Sequence, residues 1–265
     1  MKTILTFDVE DWYMIYFAKD QIPFETWINQ KHEIVKMIDI TLNILGELNM
    51  KATFFVTGYI CKYNREIIQK IYDSGHEIAS HGFKHETLNS MTRKNFKSDI
   101  SDSKKILEDT IGDKIIGYRS PGFTLTNRMD LLDIVKDVGF KYDSSLLNLS
   151  QKNICRLNNG LIEFAPNSIN LFNKYFPING GFFFRAVPNL IYNLFLKTFL
   201  KKDDFLIFYI HSWEIFMPEK KINLGFLKKF IQYYNINSSQ KKFIDFIKQR
   251  KSCISIQQFL NENKI

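Results

Sequence analysis

Two histidines four residues apart, His81 and His85, are the clearest candidates for metal chemistry in the sequence. On a helical turn this spacing places both imidazoles on the same side. Two such imidazoles and one carboxylate from another segment form a facial set of ligands for a divalent cation, with positions left open for water. The pair alone is equally typical of chance, so the interpretation depends on which other groups the fold brings to it.

Three carboxylates crowd the segment Asp8-Val9-Glu10-Asp11-Trp12. Carboxylates this close repel one another unless a cation or a shared proton relieves them. An acidic segment by itself is more often a solvated loop. On an extended strand Glu10 shares the face of Asp8, which favours Glu10 as a metal ligand, whereas a turn starting at Glu10 favours Asp11. Both residues remain candidate ligands.

Arg119, Asp143 and His211 are further candidates for catalytic groups. Arg119 precedes a proline–glycine turn, where the backbone can fix a guanidinium beside a carboxylate. An isolated arginine in a turn usually lies on the surface, and a histidine that ends an apolar strand is more often packed than catalytic. The positions of these residues within the predicted elements change that balance.

Short apolar runs alternate with stretches of helical periodicity along the chain. Strands are predicted at 3–9, 52–56, 76–80, 115–118, 140–143, 161–165 and 205–210, and helices at 32–49, 64–73, 93–110, 128–138, 225–235, 239–250 and 255–262. This alternation is typical of a parallel sheet or barrel. Asp8, His81, Arg119, Asp143 and His211 all lie at carboxyl ends of predicted strands, which is the rim where catalytic groups gather in α/β barrels. The irregular region 148–190, with Gly-Gly-Phe-Phe-Phe-Arg at 180–185, is predicted to be a lid or an inserted hairpin.

Composition indicates one folded domain over residues 1–265, since 45% of the residues are hydrophobic and no linker or repeat interrupts the pattern. The net charge of +8 favours anionic partners, although the lysines are scattered and no nucleic-acid-binding motif is present. Three cysteines without close spacing indicate neither a disulfide framework nor a zinc knot. Because the first residues lack a secretion pattern and no apolar stretch approaches the ~20 residues of a membrane span, we expect a cytoplasmic protein.

The order of these segments resembles the polysaccharide deacetylases of the NodB-homology family, carbohydrate esterase family 4. The matching segments are Thr6-Phe7-Asp8, Gly75-His76-Glu77-Ile78 through His81 and His85, Arg119-Ser120-Pro121, Tyr142-Asp143-Ser144-Ser145 and Ile210-His211. The histidine segment is specific, and the others gain weight from their order. The commonest first motif in the family has two adjacent aspartates followed by glycine, whereas Val9 follows Asp8 here. The Asp-Val-Glu-Asp-Trp start resembles a subgroup linked to surface-polysaccharide synthesis and distantly similar to allantoinase-like members.

The resemblance implies a distorted β/α barrel of about seven parallel strands and a divalent cation, zinc, on His81, His85 and either Glu10 or Asp11. It implies that Asp8 is the general base and that Arg119 pairs with it. It implies that His211 is the general acid, oriented by Asp143 or another acid near it. A backbone N–H near Phe123 is expected to help hold the oxyanion.

The expected substrate is an N-acetylated sugar carrying a nucleotide or lipid phosphate, which agrees with the net positive charge. Phe182–Phe184 are expected to stack on a sugar or to touch a membrane surface peripherally. Two other functions remain open, namely an allantoinase-like amide hydrolase on the same scaffold and an inactive module that binds carbohydrate or polyprenyl chains. The sequence does not specify the oligomeric state.

Overall fold

The computed structural model describes residues 3–147, 153–171, 173–199 and 205–265. Its strands are β1 (Thr3–Val9), β2 (Thr53–Val56), β3 (Glu77–Ser80), β4 (Gly117–Tyr118), β5 (Tyr142–Asp143), β6 (Ile154–Arg156), β7 (Ile162–Phe164), β8 (Ser168–Leu171), β9 (Lys174–Pro177), β10 (Leu206–His211) and β11 (Cys253–Ile254). Its helices are α1 (Ile34–Glu47), α2 (Gly58–Tyr63), α3 (Arg65–Asp73), α4 (Arg93–Ile111), α5 (Leu132–Asp137), α6 (Gly181–Ala186), α7 (Asn189–Phe199), α8 (Ser212–Ile215), α9 (Phe226–Tyr233), α10 (Ile236–Lys248) and α11 (Ile256–Asn263). Short 3₁₀ helices at Tyr16–Ala18 and Phe24–Asn29 lie between β1 and α1.

The main sheet has the order β10-β1-β2-β3-β4-β5-β7-β6. The first seven of these strands run parallel, and β6 is antiparallel to β7. β11 adds a short parallel pairing at the start of β1. Within the described residues no strand ladder joins β10 to the β7–β6 end, so the sheet is a curled half-barrel. The predicted β/α barrel of about seven parallel strands is therefore confirmed in this open form.

The sheet separates two apolar regions because successive side chains of a strand point to opposite faces. Leu5, Phe7 and Val9 of β1 pack with the surrounding helices. Ile4 packs on the inner face, where α11 contributes Phe259. Asp8 lies on the same face as Ile4, four residues further along β1. The inner face is therefore apolar at one end and ionic at the other.

The helix boundaries follow local capping chemistry. Before α4, the Thr92 hydroxyl accepts a hydrogen bond from the backbone N–H of Asn95, and the helix ends at Gly112 in the left-handed conformation with φ 70°. The helices predicted at 225–235, 239–250 and 255–262 correspond to α9, α10 and α11. The sequence prediction missed α2, α6, α7 and α8. No described helix has the length and apolar character needed to cross a bilayer.

The region 148–190 contains a hairpin, as predicted, formed by β8 and β9. Residues 148–152 and 172 lie outside the described residues. The Gly-Gly-Phe-Phe-Phe-Arg segment is not part of that hairpin, because it folds as α6. Phe184 is buried against Phe208 and Phe246, so its expected role in binding a sugar or a membrane is wrong.

Candidate active site

Four of the predicted residues meet at the carboxyl ends of neighbouring strands. Asp8 on β1 lies directly opposite His211 on β10 in the parallel register. His81 follows β3, and Arg119 follows β4. The order of the strands thus brings together side chains that are far apart in the sequence.

Arg119 and Asp8 form a buried ion pair. The Arg119 Nη1 donates to Asp8 Oδ1 at 2.8 Å and to the Thr6 hydroxyl at 2.9 Å. On the other side, Nε and Nη2 donate to the backbone carbonyl and hydroxyl of Ser144. The guanidinium also lies over the Phe55 ring, 4.0 Å from its centroid. Arg119 is fully buried, so these contacts hold its guanidinium, and through it the Asp8 carboxylate, in one orientation.

Glu10, His81 and His85 converge beside this pair. The Glu10 Oε1 lies 2.9 Å from His85 Nε2 and 3.5 Å from His81 Nε2. The Nδ1 of His81 donates to the Arg119 carbonyl at 2.8 Å, which leaves Nε2 as the free lone pair. The Nε2 atoms of both histidines are buried and face the Glu10 carboxylate without a well-aligned hydrogen bond. Buried unpaired nitrogens aimed at a carboxylate are what a divalent cation requires, so these three residues fit a metal site.

The spacing of the two histidines predicted that they lie on a helical turn, and this prediction is wrong. Residues 81–87 form a loop, in which Gly82 and His85 adopt left-handed conformations with φ 72° and φ 53°. The Asp99 carboxylate accepts the backbone N–H groups of Phe83 and Lys84 and so fixes this loop. The loop, rather than helical periodicity, brings the imidazoles together.

Of the two candidate carboxylates, the structure brings Glu10 to the histidines. Burial raises the pKa of Glu10, but the neighbouring histidines outweigh burial and hold that pKa well below its usual range. The Asp11 carboxylate turns away and accepts the backbone N–H groups of Trp12, Glu33 and Ile34. Asp11 therefore caps the start of α1.

His211 faces the same carboxylates from β10. Its Nε2 lies 3.9 Å from Asp8 Oδ2 and 3.8 Å from Glu10 Oε1. Its Nδ1 lies 2.7 Å from Glu214 Oε2, and the Trp213 ring stacks on the imidazole at 4.9 Å. Burial lowers the pKa of His211, but the charges of Glu10, Glu214 and Asp8 outweigh it and raise the pKa to about 9. This arrangement favours a protonated imidazole at neutral pH.

Glu214 is held in turn by Arg185, whose Nε donates to Glu214 Oε1 at 2.5 Å. Burial raises the pKa of Glu214, but Arg185 and His211 outweigh it and lower the pKa to about 2. Sequence reasoning missed both residues. The available signal was the spacing of three residues between His211 and Glu214, which is that of a reciprocal cap at a helix start.

Family models match two parts of the chain. Residues 16–142 match the family model described as polysaccharide deacetylase, and residues 144–260 match a domain of unknown function, DUF3473. This part of the chain, 16–142, belongs to the polysaccharide deacetylase family. The peptidoglycan deacetylase of Helicobacter pylori is 30% identical over 107 residues, which are 40% of this chain and 36% of that protein. The chain spans 19% and 38% of the length of two other curated relatives.

Solved structures of polysaccharide deacetylases and related proteins show the same fold. The peptidoglycan deacetylase PdaC of Bacillus subtilis has a TM-score of 0.54 at 14% identity, covering 99% of this chain and 91% of that one. A carbohydrate esterase family 4 pseudoenzyme of Bacillus anthracis has a TM-score of 0.57 at 11% identity, covering 98% of this chain and 66% of that one. At these identities the likeness concerns the fold alone.

One expectation taken from the polysaccharide deacetylase resemblance is not met. Asp143 does not orient His211, because its carboxylate accepts from the backbone N–H and hydroxyl of Ser145 and faces Glu163, whereas Glu214 is the acid at His211. The Phe123 N–H donates to the Ser120 carbonyl at 3.1 Å, and the expected oxyanion donor near Phe123 stays a prediction. Phe123 and Gly122 both have positive φ, which tightens this turn.

A pocket adjoins His85 on the side formed by the connection between β1 and α1. Aromatic and apolar side chains line most of it, among them Tyr13, Phe24 and Trp27. Lys19 and Lys84 are exposed at its rim, and the Lys84 ammonium lies 5.2 Å from the centroid of the Phe24 ring. Sequence reasoning had not assigned a role to this connection.

Proposed function

We propose that the protein is a metal-dependent N-deacetylase that releases acetate from an N-acetylated sugar. The main support is that Glu10 and the buried Nε2 atoms of His81 and His85 converge. They lie beside Asp8 and His211. We infer that Glu10, His81 and His85 hold a divalent cation, and a donor set of two imidazoles and a carboxylate suits zinc. Bound there, the cation would supply Lewis-acid polarisation of the acetamide carbonyl.

The remaining groups divide the proton transfers between them. Asp8, aimed by Arg119, accepts a proton from the attacking water. His211, kept protonated by the surrounding carboxylates, donates a proton to the departing amine nitrogen. Glu214 and Arg185 hold the imidazole in position. The products are acetate and a free amino sugar.

The test combines metal content with acetate release from N-acetylated sugars. Asp8→Asn should retain the metal and lower turnover by ~10²–10⁴, the usual size of a general acid–base contribution. His81→Ala should lose the metal and all activity while remaining folded. A fully active Asp8→Asn enzyme would contradict the mechanism. Activity confined to cyclic amides would indicate an allantoinase-like hydrolase, and metal binding without any hydrolysis would indicate an inactive module.

We further propose that the substrate carries a phosphate, linked to a nucleotide or a lipid. The supporting features are the net charge of +8 and the two lysines at the rim of the pocket beside His85. Lys19→Gln with Lys84→Gln should raise KM for phosphate-bearing substrates and leave KM for neutral N-acetyl oligosaccharides unchanged. Lys94→Gln with Lys97→Gln on α4 removes the same charge from exposed positions and is the control. If the protein were as active on neutral N-acetyl sugars as on phosphate-bearing ones, and salt had no effect, the phosphate proposal would be rejected. The deacetylase proposal would stand.

A further inference from the structure

Helix α9 presents an apolar face to solvent. Phe226 is 88% exposed, Leu227 is 68% exposed and Phe230 is 43% exposed. These positions are spaced i, i+1 and i+4 and therefore share one side of the helix. Tyr234, 39% exposed, continues this side just after the helix. We name these four residues the α9 face.

The sequence around the α9 face is basic. Lys220, Lys221, Lys228 and Lys229 are all exposed, and the segment 216–235 contains one acid, Glu219. Glu219 is paired with Lys31 and Lys36 at 2.6 and 3.1 Å, so it does not neutralise the charge of the four lysines. Large apolar side chains among lysines are typical of helices that lie in the interface of an anionic bilayer.

The protein body holds α9 firmly in this orientation. Buried Arg185 donates to the carbonyls of Ile231 and Tyr234, and the Phe182 ring packs against Phe230 at 5.9 Å. The apolar side chains therefore face outward on a supported helix. A face fixed in this way needs little reorganisation to meet a flat surface.

We propose that the α9 face docks the protein on the surface of an anionic phospholipid bilayer. Phe226, Leu227 and Phe230 enter the interfacial region and Lys229 contacts lipid phosphates. Lys228, on the side of the helix that faces Phe17, adds positive charge near the surface. Charge complementarity selects this occupant, because a second copy of the chain would oppose the same four lysines to one another. The proposal goes beyond the deacetylase function, since docking requires no turnover.

The docked face also lies next to the wall of the candidate active site. The Lys228 ammonium lies 6.0 Å from the centroid of the Phe17 ring, and the Gln21 amide donates to the Asn223 carbonyl. Phe17 and Gln21 belong to the connection between β1 and α1 that forms the pocket beside His85. Docking would therefore bring that pocket close to lipid headgroups.

The test is co-sedimentation with phosphatidylcholine vesicles that contain or lack phosphatidylglycerol, at low and high ionic strength. The wild-type chain should bind the anionic vesicles and lose binding as salt rises. Lys228→Gln with Lys229→Gln should weaken binding up to about 30-fold, given about a fivefold loss per lysine near an anionic surface. Phe226→Ser with Leu227→Ser should weaken it at least as much, because apolar burial is lost.

Matched controls separate the face from general surface effects. Lys94→Gln with Lys97→Gln removes the same charge from α4, and Met129→Ser removes a side chain that is 47% exposed elsewhere. Both should bind vesicles as the wild type does. Wild-type binding by both α9 variants would overturn the proposal. So would a dimer in solution that Phe226→Ser with Leu227→Ser converts to a monomer, with no vesicle binding by the wild type, because the face would then join two copies.

Discussion

Glu214 links the chemistry of His211 to the interior of the protein. One of its oxygens pairs with Arg185, and the other accepts from both the backbone N–H and Nδ1 of His211. A general acid must be protonated, so activity should fall as the pH rises through the pKa of His211. Glu214 raises that pKa, and the position of the alkaline limb of the pH profile reports its contribution.

We predict that Glu214→Gln moves the alkaline limb of kcat/KM to lower pH. The amide can still accept a hydrogen bond from Nδ1, but it carries no charge to favour the imidazolium. Turnover at neutral pH should fall about tenfold or more. Glu219→Gln, an exposed carboxylate on the following segment, is the control and should leave the limb in place. An unmoved limb in Glu214→Gln would show a purely structural role.

Glu163 and Asp143 form a buried carboxyl pair with a different consequence. Burial and the neighbouring Asp143 raise the pKa of Glu163 well above its usual range, so Glu163 remains protonated in the folded protein. A raised folded pKa gives stability that is fully present below the unfolded pKa and is lost as the pH rises through the folded one. The pair should therefore make the protein less stable at alkaline pH.

We predict that Glu163→Gln stabilises the protein at alkaline pH and changes little at mildly acidic pH. Glutamine resembles the protonated acid and cannot ionise. A gain of about 1 kcal/mol would raise Tm by roughly 2–4 °C for a chain of this size. Thermal unfolding across pH measures it, and Glu108→Gln on α4 provides a carboxylate outside this pair for comparison. If Glu163→Gln shifted Tm by the same amount at every pH, the ionisation of Glu163 would not be the cause.

At the scale of an element, the start of α1 depends on Asp11. Its Oδ2 accepts the N–H groups of Glu33 and Ile34, which the helix itself leaves unpaired. We predict that Asp11→Ala costs about 1–2 kcal/mol or more in stability, the usual cost of a lost cap with buried donors left behind, and that it retains the metal. Glu10→Gln should instead lose the metal and keep most of its stability. Metal analysis and thermal unfolding of both variants decide between them, and loss of the metal in Asp11→Ala alone would reverse the assignment.

The contrast between Glu10 and Asp11 shows where sequence reasoning stops. Alternation of strands and helices predicted which residues lie at the rim, because strand ends in a parallel sheet share one edge. It did not decide between two adjacent carboxylates, since their directions depend on α1, more than twenty residues away. The pairing of Glu214 with Arg185 is equally dependent on α6, a helix that the glycines and aromatics of 180–185 did not predict.

At the scale of the whole molecule, β1 connects the two matched regions. It lies between β10 and β2, with six residue pairs to β10, and precedes residues 16–142 in the chain. The interpretation of residues 1–265 as one domain remains a prediction, and this pairing supports it. A fragment that ends before β10 would expose an apolar edge of β1.

We predict that residues 1–147 alone neither unfold cooperatively nor bind metal stoichiometrically. That fragment contains Glu10, His81 and His85 but lacks β10, which covers β1. Circular dichroism during thermal unfolding and metal analysis of the fragment, beside the complete chain, measure this. Adding residues 148–265 as a separate chain should restore both properties if the two parts assemble. A stable, metal-binding fragment would instead place a domain boundary near residue 147.

The β1–β10 pairing also has a consequence for synthesis on the ribosome. The Thr6 hydroxyl donates to the Phe208 carbonyl, so β1 must wait during synthesis for a partner strand made 202 residues later. At ~5–20 residues per second, that wait lasts roughly 10–40 s. During that time the nascent chain carries a buried-type strand with an unpaired edge, the surface to which holding chaperones bind. Slow codons between β7 and β10 would lengthen this exposure and should lower the soluble yield without changing a single amino acid.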